Sequence, residues 1–184
     1  MVDGQNKSHL PHWASILGVV AIVLGVFLTA MHGTEWMKHS VISTHMPESG
    51  VMPAADCPEE ELEEEGISLA QCEFLVDYVA GFVESSPEGF SDSMQTLALI
   101  GTILAFVSVI IGGALVNYTT WSANAAIAVF VGLALIDVLQ FSVVVGAGPL
   151  IRNFYLWSVL LWLILHAMLL VGAIAGRQFE AAKA

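Results

Sequence analysis

The chain has 184 residues, 57% of them hydrophobic and only 12% charged, about half the charged share of a soluble domain, and its mean hydropathy is +0.77. A net charge of −12 excludes a basic nucleic-acid-binding surface, and the apolarity excludes an ordinary soluble globule. What remains is an integral membrane protein.

Four continuously apolar runs, about 13–31, 94–116, 123–146 and 154–176, each reach roughly 30 Å as a helix, the thickness of the hydrocarbon core. Barrel strands alternate polar and apolar residues, and a backbone in hydrocarbon must satisfy its own hydrogen bonds. The sequence therefore predicts an all-α integral membrane protein, a single domain over 1–184 with four transmembrane helices. A long acidic extramembrane loop, 32–93, separates the first helix from the second. The first run exceeds a signal-peptide core, only Lys7 precedes it and no A-x-A site follows, so it reads as a retained helix. Lys7, Arg177 and Lys183 fall on one side and Lys38 and Arg152 on the other. That bias places the termini in the cytoplasm and the loop outside, in a bacterial or archaeal plasma membrane.

The stretch MHGTEWMKHSVISTHM follows the first run. If the helix continues, His32, Glu35 and His39 share one face, where imidazole and carboxylate suit a metal such as zinc or copper. His45, Met37 and Met46 add imidazole and thioether groups of the kind copper favours. The competing reading is an interfacial rim, with Trp36 in an aromatic belt.

The loop as a whole, 32–93, holds all acidic residues except Asp3, Asp137 and Glu180. Residues 47–58 read as irregular linker, and Pro58 to Glu65 as a short helix stopped by Gly66. This acidic turn is either a solvated face or a docking surface for a basic soluble partner. ISLAQCEFLVDYVAGFVESS is a better helix, with Glu73, Asp77 and Glu84 on one stripe and Ile67, Ala70, Phe74, Tyr78 and Phe82 opposite. So apolar a helix needs cover from the bilayer surface, the bundle's outer end or a partner. Cys57 and Cys72 are placed to form a disulfide across this segment, worth about 3 kcal/mol in the chain-entropy model.

Within the later runs, Gly101, Ala105, Ser108 and Gly112 form a small-residue stripe, and Gly172 and Gly176 form another, as closely approaching helices require. Asp137 in the third run and His166 in the fourth are ionisable groups inside a bilayer, costly enough to be functional candidates by default. Counted from the connecting loop they lie about 13 and about 18 Å deep, so they can meet, and Gln140 shares Asp137's face. A packing latch, a proton or ion path and a quinone or other ligand site compete for them. A haem within this chain alone is disfavoured, because His12 sits at the inner end of the first helix, His32 at its outer end and His166 near the middle of the fourth, so no pair matches in depth.

No phosphate loop, nucleophile motif or zinc-protease motif is present. The first expectation is a non-catalytic accessory subunit of a larger membrane complex, of respiratory type, associating with other membrane subunits or with itself. The second is handling of ions, protons or a copper-type metal. The third is the membrane anchor of a quinone-linked oxidoreductase.

Overall fold

The computed structural model describes residues 11–45, 57–119 and 121–182. Among them are six helices: α1 (His12–His45), α2 (Glu59–Glu65), α3 (Leu69–Glu84), α4 (Phe90–Val116), α5 (Ser122–Gly146) and α6 (Pro149–Ala181). Four of these, α1, α4, α5 and α6, are long and apolar enough to cross a membrane.

Each long helix outruns the apolar stretch that announces it. Apolarity marks only the segment suited to hydrocarbon, whereas the backbone stays helical until something breaks it. Gly33 does not, and the helix passes through it to His45. At this same end of the bundle a two-residue turn, Ala147 and Gly148, feeds Pro149 at the first position of α6, where a missing N–H costs nothing.

The buried positions of α1 are Ala14, Gly18, Ala21, Gly25, Leu28, His32 and His39, an alternation of three- and four-residue steps. In α6 the same spacing gives Tyr155, Val159, His166, Leu169, Ala173 and Gly176, with half-buried Trp162 in the gap. A seam repeating every seven residues lets neighbouring helices run side by side at a shallow angle. α1 packs on α4, α4 on α5 and α5 on α6, while α1 and α6 close the ring more loosely.

The closest approach of two backbones is between α1 and α4. A Cβ at Gly18 would lie 2.6 Å from the Gly112 carbonyl oxygen, and one at Gly112 would lie 2.7 Å from the Gly18 carbonyl oxygen. Only glycine allows the two backbones this close, and the stripe predicted on α4 is the surface that α1 uses.

α2 and α3 form a cap over one end of the bundle. Gly66 ends α2 in the left-handed conformation (φ 68°), its N–H donating to the Leu62 carbonyl. Ser68 and Gln71 start α3 with a reciprocal capping box. Cys57 and Cys72 are joined as a disulfide, Cα atoms 6.2 Å apart, which ties the start of α2 to α3. Phe82 and Val83 are buried on the bundle, with the Phe82 ring 6.3 Å from Phe90 and 6.2 Å from Tyr155. The expected apolar face of α3 is only partly covered. The chain must turn into α4 soon after Ser85, so the last turns of α3 dock while Phe74 stays 67% exposed.

Candidate functional site

Two apolar clusters fill the bundle, and Asp137, His166, Gln140 and His32 lie between them. The cluster at the open end includes Ala21, Ala105, Phe130, Leu133 and Ala173. The one beneath the cap includes Phe82, Phe90, Met94, Val144, Ile151 and Tyr155. At the boundary, Asp137 of α5 and His166 of α6 meet, Oδ2 to Nδ1 at 2.5 Å, with side chains 1% and 0% exposed. An imidazole carrying its proton on Nδ1 donates to the carboxylate; with the proton on the carboxyl, the direction reverses. Either way the pair holds a proton between two groups that water does not reach. Trp162 lies nearly parallel to His166, ring centroids 6.5 Å apart, and His166 Nε2 has no hydrogen-bond partner among the described residues.

His32 of α1 extends this polar layer. It is 6% exposed, and its ring packs where a side chain on Gly101 of α4 would stand, the imidazole being 3.0 Å from that missing Cβ. It lines one cavity with Glu35 and with Gln140, which stands one turn from Asp137. This corrects the depth assigned from the apolar run. With α1 continuing to His45, His32 is an interior residue packed on Gly101, not an end residue. Its Nε2 also lacks a hydrogen-bond partner among the described residues.

Towards the cap, Glu35 accepts from the Tyr155 hydroxyl (3.0 Å) and pairs with Lys38 (3.0 Å). Lys38 also donates to the Tyr155 oxygen, and its ammonium lies 4.7 Å from the centroid of that ring. One turn on, buried His39 places Nε2 3.6 Å from Glu35 and Nδ1 3.1 Å from the Ser91 hydroxyl of α4. The histidines and the glutamate all project from the seam of α1, so helical spacing alone arrays them along the bundle interior.

A cavity of about 800 Å³ opens between α1 and α6 beneath α3, within the size range of small-molecule sites, about 300–1,000 Å³. Its polar wall consists of His32, Glu35, Lys38, Gln140, Tyr155 and Ser158, with Thr34 at the edge, and the remaining lining is aliphatic, aromatic or thioether. Exposed residues of both helices, among them Met31, Met37, Val41 and Phe154, stand at its mouth. The opening therefore lies on the apolar flank of the bundle, and Tyr78, Val79 and Phe82 of α3 overhang it.

Of the residues singled out in sequence, the structure brings Asp137 and His166 into contact, places His32 nearby, and sets Gln140 on the cavity wall one turn from Asp137. His32, Glu35 and His39 share the α1 seam, but Glu35 is committed to Lys38 and Tyr155. Among the described residues no three His, Cys, Asp or Glu side chains converge as a metal-holding group. Met37 lines the cavity mouth; the His45 side chain and Met46 lie outside the described residues. Tyr155, Lys38, Ser91 and Trp162 escaped the sequence reading. Tyr155 and Trp162 were accessible through the seven-residue spacing that leads to His166, whereas nothing local marks Ser91. Compared with known protein families, characterised proteins and solved structures, the chain finds no match.

Proposed function

We propose that this chain is a non-catalytic subunit of a larger membrane complex, in which the Asp137–His166 pair serves as a protonatable station reached from the capped face. One observation carries the reading: an ionisable pair is buried at mid-bundle with polar continuation towards one end only. Through Gln140 and His32 and then Glu35, Lys38 and Tyr155, polar groups recur along one cavity wall from the level of the pair to the cap. Towards the open end the buried residues are Ala, Gly, Leu, Ile and Phe, relieved only by Ser108 and Ser122. Half a path is not a pump. It gains a use when a neighbouring subunit supplies or consumes the proton at the inner terminus, which favours an accessory role over a self-sufficient transporter.

The same asymmetry gives the cap a position in the proposal. The acidic loop and its disulfide belong on the outer, oxidising side of a plasma membrane, with the exposed residues of α3 turned to the bilayer surface or to the partner.

The test starts with gentle extraction from native membranes and mass spectrometry of the intact assembly, in which other chains should co-purify. An Asp137→Asn variant should then assemble normally, since an amide keeps the volume and one hydrogen bond, yet slow turnover of the complex at least tenfold by removing the ionisable oxygen. Unchanged turnover in a fully assembled Asp137→Asn complex would sink the proton role, and purification as a lone chain would sink the subunit role.

A further inference from the structure

We infer that the cavity between α1 and α6 is a binding site for an isoprenoid quinone: a flat, neutral ring with two carbonyl oxygens, carried on a long apolar tail. The inference adds a ligand to the site described above, and its test needs only this chain.

Three features of the cavity select that chemistry. The first is charge. The only formally charged side chains on the wall, Glu35 and Lys38, neutralise each other at 3.0 Å. An anionic lipid headgroup would therefore meet a carboxylate beside the sole ammonium, whereas a neutral ring meets no net charge. The second is uncommitted polarity. Gln140 is 6% exposed and lines the cavity together with the exposed Ser158, and the Gln140 side chain has no hydrogen-bond partner among the described residues. Its amide is open to the cavity, and a carbonyl oxygen from a ligand is what its N–H groups lack. The free donors stand on different helices, Gln140 on α5 and Ser158 on α6, since Tyr155 and Lys38 already donate to Glu35. They are thus suited to a ligand with two separated acceptors.

The third feature is the form of the opening. The walls are rich in flat and polarisable side chains, including Trp162, Phe154, Phe82 and Met31, which match a π-surface better than a branched acyl chain. The mouth lies on the apolar flank of two helices that are themselves long and apolar enough to cross a membrane. A tail can leave sideways into lipid while the ring stays under α3, so no route through water is required. Trp162 lies against both the cavity and His166, placing the proposed ring site next to the station that exchanges protons.

The experiment uses the full chain in nanodiscs of phosphatidylglycerol and phosphatidylethanolamine, titrated with decyl-ubiquinone and followed by tryptophan fluorescence. The expected result is saturable quenching, of which a clear share disappears in Trp162→Phe. Gln140→Leu should weaken the apparent Kd about tenfold, the effect of one lost buried hydrogen bond. Ser158→Phe, which fills the cavity from another helix and leaves Gln140 intact, should abolish saturation. Two variants on different helices guard against a loss of folding in either one. Quenching that rises linearly with quinone and is the same in all variants would mean partition into lipid alone and would overturn the site. So would a co-purifying phospholipid, identified by mass spectrometry, that decyl-ubiquinone does not displace. If binding fails while Asp137→Asn still slows the complex, the quinone site falls and the proton station stands. If binding succeeds and Asp137→Asn has no effect, the reverse holds.

Discussion

The open and capped halves of the bundle use one helical spacing for opposite purposes. From Ala14 to Leu28 the seam of α1 is filled with alanine, glycine and leucine, and its backbone comes within touching distance of α4 at Gly18 and Gly112. From His32 to His39 the same seam carries imidazole, carboxylate and imidazole. Across the ring, α6 meets α1 closely in the open half, where Gly172 lies against Leu17 and the Phe27 ring is 5.6 Å from Trp162. In the capped half the two helices part around the cavity, bridged by Glu35, Lys38 and Tyr155. The difference teaches that rigidity and function are divided along the helix axes. The small-residue half fixes the helices so that the polar half can stay open without collapsing.

The strongest way to break that division is to remove the close approach. Gly112→Leu drives a side chain into the α1 backbone, which cannot step aside as a flexible side chain would. It should cost about 3 kcal/mol, read as loss of folded protein in a detergent-denaturation series. Gly33→Leu on α1 meets only open space and should leave stability within about 0.5 kcal/mol of wild type. Equal sensitivity at both glycines would remove the distinction between the halves. Next in size is the cap. Cys57→Ser should destabilise α2 and α3 by about 2–3 kcal/mol, while the long helices, which do not share that bond, keep their stability. Limited proteolysis should then cut within the cap before any cleavage of the bundle.

Much of this arrangement is legible in the chain and some is not, for physical reasons. Continuous apolarity reveals the four long helices because hydrocarbon tolerates nothing else over that length. Asp137 and His166 stand out because ionisable groups are rare in such runs, and their register follows from counting residues back to a short turn. The extent of α1 is hidden, since polarity returns at His32 while the backbone remains helical, and so the depth of His32 is misjudged. Contacts such as Lys38 to Tyr155 join residues far apart in sequence, and no local pattern encodes them. A cavity is harder still, because it is an absence produced by two helices diverging, and each of them reads as an ordinary apolar span.

The smaller predictions sharpen the comparison inside the polar half. Asp137→Ala leaves His166 with neither nitrogen hydrogen-bonded and should cost about 1–2 kcal/mol, near the upper end for interhelical hydrogen bonds in membranes, whereas Asp137→Asn should cost less than half of that. Tyr155→Phe should have the smallest effect. Its hydroxyl donates to Glu35 and accepts from Lys38, but those two remain paired with each other when it is lost. The ring also stays packed against Phe82 and Phe90. The expected loss is about 0.5–1 kcal/mol, measured by the same denaturation series. A loss as large as that of Asp137→Ala would show that the bridge between α1 and α6 holds the bundle together, and the capped half would then be structural in the same sense as the open one.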